Sequence, residues 1–261
     1  MRHLNLEHAR EALAALERSA PAAPGRLTLE AGTDAVIRID APRARGALTV
    51  SMMRELADAV LALAGTPTRS VLLRSAHPGM FCSGGHLGQV RASLLEVGAG
   101  QTMSRCMTVV LDSLWQGPWQ VAAFVDGPAL GGGSELLTAC DAVFVGSQAT
   151  IGFVHGRLGV VPGWGGAARL VAAVGRRNAL ALLGTAAVLD AEAALRAGLA
   201  QGSLVDGEAW LDAIRRVPVE AVHAGKRQIQ AAASFVRDDD RESEIFGTVW
   251  GGPVHRERLS S

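Results

Sequence analysis

The feature that most restricts the fold is a run of three glycines, Gly131-Gly132-Gly133, between an apolar segment and a segment with helical spacing. Consecutive glycines cost conformational entropy, and they are kept mainly where the backbone turns sharply or closely approaches another group. The first N–H groups of a helix have no partner within it and carry partial positive charge. The run therefore predicts a strand–turn–helix junction whose backbone amides could bind a developing negative charge.

A second glycine loop, residues 80–87, contains Gly84 and Gly85 and follows another short apolar segment. Neither loop has the GxGxxG or GxxxxGK[ST] pattern of nucleotide-binding proteins. Two such loops could each supply one N–H group to a single oxyanion, and each donor contributes about 3–4 kcal/mol of transition-state stabilisation. The alternative interpretation of both loops is close packing of a helix on a sheet.

Apolar strands and helical patterns alternate over the first half of the chain. The predicted elements are the strands Ala35–Asp40, Ser70–Ser75 and Gln120–Val125, and the helices Met52–Leu63 (capped by Ser51) and Met103–Trp115. Strand–helix–strand repetition predicts right-handed crossovers and parallel pairing. From about residue 166 the pattern is mostly helical, with predicted helices at 168–174, 177–183, 191–197, 210–216 and 218–236.

We therefore predict an α/β fold in three parts. A helix at 3–18 lies within an N-terminal extension, residues 1–25, that precedes the α/β core. The core spans residues 26–190, and a helical C-terminal region spans residues 191–261.

Charge and cysteine content narrow the class of protein. The 261 residues include 25 Lys and Arg against 25 Asp and Glu, so no basic excess favours nucleic acid or an anionic membrane. The first twenty residues are charged throughout, unlike a signal peptide. The sequence contains no uninterrupted apolar run of about 18 residues, so no membrane span is predicted. Three cysteines without paired spacing suggest free thiols in a cytoplasmic protein. The sequence contains no metal-ligand spacing, and we expect no metal.

Three sequence blocks carry a resemblance to a known family. FCSGGHL (81–87), DGPALGGGSELLTACDAVF (126–144) and IGFVHGRLGVVPGWGGAARL (151–170) resemble the signature blocks of the crotonase (enoyl-CoA hydratase/isomerase) superfamily. The resemblance covers about residues 26–255. It implies a spiral of ββα turns with a helical C-terminal region that mediates trimerisation and caps the active site. It also implies an acyl-CoA substrate, a homotrimer or hexamer, and an oxyanion hole formed by the N–H groups of Gly85 and Gly132.

The resemblance to the hydratases of this superfamily is incomplete at one catalytic position. Those enzymes hold two glutamates over the substrate double bond, because water addition transfers a proton at each end of that bond. The first matches Glu135, which could instead be an acidic residue favoured by the dipole of its helix. The second position is His155, which places two-glutamate hydration in doubt. His86 replaces a usual aspartate and is interpreted as loop packing, and His223 is interpreted as structural.

The blocks GFVH (152–155), LGVVPGWGG (158–166) and TVWGGP (248–253) are similar to one branch of the superfamily, which decarboxylates 2-alkylmalonyl-CoA thioesters such as ethylmalonyl-CoA or methylmalonyl-CoA. An alternative interpretation of TVWGGP is an aromatic turn that caps the last helix. In the branch's reaction, loss of CO2 leaves an enolate that an oxyanion hole can stabilise, so the resemblance implies no cofactor. His155 would bind the substrate carboxylate or protonate the enolate carbon. Glu135 could be protonated, face the other side of the enolate, or orient a water molecule.

Further residues are candidates for substrate contact. The expected walls of the acyl pocket are Phe153, Trp164 and Trp250, with Ser83 in the first glycine loop. Arg43 and Arg45 match the segment beside the CoA adenine and could bind phosphate, or could be ordinary surface charges.

Two other functions stay open on the sequence alone. One is an enoyl-CoA hydratase or isomerase that uses Glu135 as its proton shuttle. The other is a catalytically weak subunit that binds an acyl thioester, carried by CoA or by an acyl carrier protein.

Overall fold

The computed structural model describes residues 5–232, 246–247 and 250–260, and its strands form two sheets. The nine strands of these residues are β1 (Arg26–Glu30), β2 (Asp34–Asp40), β3 (Ser70–Ser75), β4 (Gln120–Val125), β5 (Pro128–Leu130), β6 (Ala142–Val145), β7 (Thr150–Gly152), β8 (Val188–Asp190) and β9 (Gly202–Ser203). The larger sheet has the order β1-β2-β3-β4-β6-β9, and the smaller one has the order β5-β7-β8. β1–β2 and β7–β8 are antiparallel, whereas the remaining pairs are parallel. The predicted α/β architecture is confirmed.

The α-helices within the described ranges are α1 (Leu6–Ser19), α2 (Val50–Leu63), α3 (Leu87–Gln89), α4 (Val97–Gln116), α5 (Gly132–Thr138), α6 (Gly166–Thr185), α7 (Ala191–Arg196), α8 (Leu204–Arg215), α9 (Val219–Ala232) and α10 (Pro253–Ser260). The predicted helical region after the α/β core is therefore present. The predicted helix at 218–236 is observed as far as residue 232, and its remainder lies outside the described residues. None of the described helices is both long enough and apolar enough to cross a membrane.

The start of α2 differs from the prediction. Thr49, not Ser51, is its N-cap, because the Thr49 hydroxyl accepts a hydrogen bond from the N–H of Met52 at 3.2 Å. The Ser51 hydroxyl instead lies 2.7 Å from that of Thr49. Since both residues can cap a helix, sequence preference alone could not separate them. Met52, Leu56 and other residues of one helix face are buried as the spacing predicted.

The two central strands run through the core. β3 and β4 pair in parallel, with Ser70 opposite Gln120 and Arg74 opposite Phe124. Side chains on both faces of β4 are buried, which explains its unbroken apolar sequence. β2, which lies between β1 and β3, instead alternates buried and half-buried positions. The carboxyl ends of these strands lead into the loops that form the site.

Helices α1 and α6 both contribute side chains to the main hydrophobic core. α1 contributes the fully buried Ala9 and Leu13 to the main hydrophobic core and packs on α2 and α4. α6 was predicted as two helices, 168–174 and 177–183. The structure bears this out, because the backbone of Gly175 (φ +75°, ψ 157°) is not helical and divides the range into two helical segments.

Candidate active site

Backbone hydrogen bonds join the two glycine loops. The N–H of Cys82 donates to the Pro128 carbonyl at 3.0 Å, and the N–H of Leu130 donates to the Cys82 carbonyl at 2.9 Å. The first loop is also held by Leu48, whose N–H donates to the Gly84 carbonyl at 2.8 Å. Loops far apart in the sequence are thus fixed side by side as if they were short strands.

The glycines are required because the backbones approach closely. A β-carbon on Gly133 would overlap the carbonyl group of Cys82, and one on Gly84 would lie 3.2 Å from the nitrogen of Gly132. Gly84 also has φ +102°, a conformation that other residues rarely adopt. The glycine runs therefore serve loop-to-loop contact as well as the turn into α5.

The N–H groups of Gly85 and Gly132 donate to no acceptor among the described residues. A β-carbon on Gly132 would overlap the ring of Trp164, and one on Gly85 would lie 4.0 Å from the same ring. The indole of Trp164, which is buried, therefore lies against both glycines. This brings together the two predicted oxyanion donors and one predicted wall residue.

Glu135, in the first turn of α5, is almost completely buried. Its Oε1 accepts hydrogen bonds from the N–H of Gly163 at 3.3 Å and from Nε2 of His155 at 3.0 Å. Its Oε2 accepts from the N–H groups of Trp164 at 2.8 Å and Gly166 at 3.1 Å. A carboxylate has about four lone-pair positions, so this carboxylate is fully occupied.

These contacts decide the protonation state of Glu135. Burial alone raises the pKa of this carboxyl, but the His155 hydrogen bond and charge, the Trp164 N–H and the charge of Arg169 outweigh it and hold the pKa below its usual 4.5. Glu135 is therefore ionised near neutral pH. This argues against a protonated Glu135, one of the roles that the sequence left open.

His155 lies on a short 3-10 turn, Val154–Leu158, with its side chain 10% exposed. Because the ionised Glu135 can only accept, the Nε2 of the imidazole carries a proton and donates it. Nδ1 is buried and has no hydrogen-bond partner among the described residues. An unsatisfied buried polar atom costs about 1–3 kcal/mol, which marks Nδ1 as an atom available to a ligand.

The other two predicted wall residues have different surroundings. Phe153 is buried, with its ring centre 6.5 Å from that of His155, so it is part of the site. Trp250 stacks on Phe246 at 4.7 Å, lies against His255, and donates from its indole nitrogen to the carbonyl of Leu94. In the part of the chain that the structure describes, the Trp250 ring thus packs on Phe246 and His255 and against Gly100 of α4.

The predicted CoA-binding arginines flank the first glycine loop. Ser83 donates from its N–H to the Arg45 carbonyl at 3.2 Å, and from its hydroxyl to the Ala44 carbonyl, also at 3.2 Å. The side chains of Arg43 and Arg45 are exposed and form no ion pair with any described carboxylate. Two exposed cations therefore flank the first glycine loop.

Sequence reasoning missed the turn from Gly163 to Gly166 and the residue that supports it, Arg169. The turn supplies three of the four donors to Glu135, and Arg169 is bonded to the carbonyl of Trp164. A fully buried arginine cannot be recognised from a helical pattern in which arginines are usually exposed. The glycines of the turn were the only available signal.

The other two interpreted histidines have structural contacts. His86 caps α3 by accepting at Nδ1 from the N–H of Gln89, and His223 Nε2 lies 2.7 Å from the Thr68 carbonyl. A cavity of about 510 Å³ between α5, α6 and α9 is lined by Thr138 and Lys226 among others, but not by the glycine-loop donors. No cluster of metal-binding side chains occurs among the residues that the structure describes.

The contacts of Glu135 predict a pH dependence of stability. A group whose pKa is lowered by folding stabilises the protein above its unfolded pKa, and this stabilisation is lost as pH falls through the folded pKa. We expect the free energy of unfolding to fall with pH below about 4.5, with a shallower fall in Glu135→Gln. At neutral pH we expect Glu135→Gln to cost about 1–3 kcal/mol, because an amide leaves buried donors unpaired.

Chemical denaturation across this pH range would measure both effects. The exposed Glu208→Gln is the control and should leave the curve unchanged. If the free energy of unfolding fell equally with pH below about 4.5 in the wild type and in Glu135→Gln, the prediction would be contradicted.

The comparisons with known proteins identify a family and relatives over most of the chain. Residues 30–244 match a family model described as enoyl-CoA hydratase/isomerase. Ethylmalonyl-CoA decarboxylase of Danio rerio is 38% identical over 241 residues, which is 87% of this chain and 79% of that protein. Ethylmalonyl-CoA decarboxylase of Gallus gallus is 36% identical over 236 residues, with 86% and 79% covered.

Solved structures support the fold. The enoyl-CoA hydratase of Bacillus halodurans superposes with a TM-score of 0.79 at 22% identity, over 90% of this chain and 98% of that chain. An enoyl-CoA hydratase/isomerase of Mycobacterium paratuberculosis gives 0.81 at 20% identity, over 91% and 98%. At this identity the structures show a shared fold, which confirms the predicted crotonase-like architecture.

Proposed function

This chain belongs to the enoyl-CoA hydratase/isomerase (crotonase) family, and within that family we propose that it decarboxylates a 2-alkylmalonyl-CoA, either ethylmalonyl-CoA or methylmalonyl-CoA. The observation that carries the proposal is His155, bonded to Glu135 where a hydratase would have its second glutamate. Relatives that are 36–38% identical over most of this chain are ethylmalonyl-CoA decarboxylases. The two unpaired N–H donors supply what this reaction needs.

The first step breaks the bond between the α-carbon and the carboxylate. Its electron pair moves onto the thioester oxygen to form an enolate, and CO2 leaves as a neutral molecule. The N–H groups of Gly85 and Gly132 stabilise the oxyanion as it forms, and removing one such donor typically costs about 10²- to 10³-fold in rate. The buried rings of Trp164 and Phe153 keep water from the substrate carboxylate, which favours loss of its charge.

His155 completes the reaction in this proposal. With Nε2–H held by Glu135, a second proton on Nδ1 would first bind the substrate carboxylate. After CO2 has left, the same proton would pass to the α-carbon as the enolate electron pair forms the new C–H bond. Neutral His155 then regains a proton from solvent.

Glu135 in this mechanism is a positioning residue. Its carboxylate is fully occupied by the four donors, so no lone pair is left for a water molecule or for substrate. Its negative charge is balanced by the imidazolium that it orients, which reduces repulsion of the substrate carboxylate. This revises the expectation that Glu135 acts directly on the substrate.

The carrier and the assembly complete the proposal. Arg43 and Arg45 would bind the CoA phosphates beside the first glycine loop, with Ser83 fixing that loop. We propose that the chain needs no cofactor or metal, because the oxyanion donors and His155 account for each step. A homotrimer or hexamer in the cytoplasm is the proposed working form, with the region 191–261 at the subunit contacts and over the active site.

Two alternatives are tested by the same assay. The first is an enoyl-CoA hydratase or isomerase that uses Glu135, and the solved hydratases that share the fold keep it open. The occupied carboxylate of Glu135 argues against it. The second is a subunit that binds an acyl thioester without turnover.

We expect the purified protein, without added cofactor, to convert ethylmalonyl-CoA or methylmalonyl-CoA into the corresponding acyl-CoA with release of CO2, measured by mass. Crotonyl-CoA and a 3-enoyl-CoA should be unchanged under the same conditions. Hydration of crotonyl-CoA or isomerisation of the 3-enoyl-CoA without decarboxylation would support the first alternative. Tight binding of all four thioesters without turnover would support the second.

A further inference from the structure

The guanidinium of Arg169 is completely buried in the first turn of α6. Its Nη1 donates to Asp112 Oδ1 at 2.6 Å, its Nε to the Thr138 hydroxyl at 3.1 Å, and its Nη2 to the Trp164 carbonyl at 2.5 Å. A cation removed from water is stable only when such partners surround it. Arg169 therefore connects α4, α5 and the turn that begins at Gly163 by hydrogen bonds from a single side chain.

This arrangement fixes both backbone polar groups of Trp164. Its carbonyl accepts from the cationic Arg169, and its N–H donates to the anionic Glu135 at 2.8 Å. Hydrogen bonds to charged groups are shorter and about twice as strong as neutral ones. The carbonyl of Gly163, the residue before Trp164, is also fixed, because it accepts hydrogen bonds from the Ser104 and Thr108 hydroxyls of α4.

The position of Trp164 matters at two places in the site. Its ring lies against Gly132 and near Gly85, the two oxyanion donors. Its N–H is one of the bonds that orient the Glu135 carboxylate, whose other oxygen receives His155 Nε2. A shift of this one residue would therefore disturb the oxyanion donors and the histidine together.

We propose that Arg169 is a positioning residue for the decarboxylation: by holding the Trp164 carbonyl it sets the oxyanion donors and the orientation of His155. The inference rests on the proposed function, since it assigns a role within that reaction. The charged or titratable groups that face Glu135 are His155 and Arg169, and Asp112 faces Arg169 from α4. Arg169 touches no reacting atom and acts only through these contacts.

The test compares three variants of the full-length protein. Arg169→Lys keeps the charge but cannot make three bonds in a fork. Thr138→Val keeps the shape but removes the acceptor of Arg169 Nε and the hydrogen bond that the same hydroxyl donates to the Glu135 carbonyl at 2.7 Å. Lys226→Met is the matched control, because Lys226 is a buried cation that lines the same cavity as Arg169 but pairs with Asp141 rather than with the Trp164 carbonyl. A small misplacement at an active site can cost about 10²-fold in rate, so we expect kcat to fall about 10- to 100-fold in Arg169→Lys and less in Thr138→Val.

KM should change little in either variant, because the CoA-binding arginines are untouched, and Lys226→Met should retain the wild-type kcat. Since loss of the fork weakens the hold on the Glu135 carboxylate, the acid limb of the kcat profile should move to higher pH in Arg169→Lys. Unchanged kcat and pH profile per folded molecule in Arg169→Lys would overturn the proposal. If that variant does not fold, wild-type kcat in Thr138→Val combined with Asp112→Asn would overturn it instead.

A measurement without substrate separates this inference from the proposed function. The ¹⁵N resonances of the His155 ring, assigned by their loss in His155→Gln, should shift in Arg169→Lys and Thr138→Val but not in Lys226→Met. If the wild type fails to decarboxylate any alkylmalonyl-CoA, the proposed function fails, while these resonances still test the positioning of His155. Unshifted resonances in a folded Arg169→Lys protein would refute the positioning role.

Discussion

His155→Gln is expected to lower kcat for decarboxylation of the preferred alkylmalonyl-CoA by about 10²- to 10⁴-fold, the usual contribution of a positioned proton donor. Glutamine can still donate to Glu135 Oε1, where Nε2 donates now at 3.0 Å, so the local fold should be retained. It cannot carry the proton that the enolate carbon requires. Enolate would then be protonated slowly by water, or the reaction would return to the carboxylated substrate.

The matched control is His223→Gln. His223 also uses its Nε2 in a hydrogen bond, at 2.7 Å from the Thr68 carbonyl, but it lies on α9 outside the site. Its variant should decarboxylate like the wild type. Full turnover by a folded His155→Gln protein would show that His155 is neither the acid nor the carboxylate-binding group.

Gly132→Ala is expected to reduce decarboxylation by about 10²- to 10³-fold, comparable to loss of one oxyanion donor. The N–H group survives the substitution, but the new methyl group would overlap the ring of Trp164. Either the ring or the start of α5 must then move, and the N–H no longer points where the thioester oxygen sits. Because the donor acts on the developing charge, the effect should appear in kcat more than in KM.

Gly98→Ala controls for the loss of a glycine. Gly98 lies in α4, and a β-carbon there would meet nothing within 4 Å. Alanine at such a site stabilises a protein by about 0.4–1 kcal/mol, so this variant should keep its activity and unfold at a slightly higher temperature. A folded Gly132→Ala protein with wild-type kcat would show that the Gly132 amide is not an oxyanion donor.

The environment of Glu135 supports its proposed role as a positioning residue. A glutamate acts as a base only if a lone pair faces the substrate, and the Gly163–Gly166 turn and His155 occupy all four positions here. The same ionised side chain then fixes a histidine and a turn. In the proposed mechanism Glu135 is therefore a positioning group for His155 rather than a base.

The local signals were enough to predict much of this protein. Strands β3 and β4 were predicted with their observed bounds, Ser70–Ser75 and Gln120–Val125, because a short apolar run between turn signals specifies a buried strand. The second glycine loop was predicted to present amide donors because the first N–H groups of a helix have no partner within it. The resemblance of the motifs then placed Glu135 and His155 at one site.

Only the tertiary structure decided what these residues do. The partners of Glu135 lie 20 to 31 positions away in the chain, and Arg169 reaches back 57 positions to Asp112. No local pattern encodes such contacts, because they arise from the packing of separate elements. For the same reason no local pattern distinguishes Trp164, which lies against Gly132 and Gly85, from Trp250, which stacks on Phe246. Sequence showed which chemical groups are available, and packing determined which of them are free to meet a substrate.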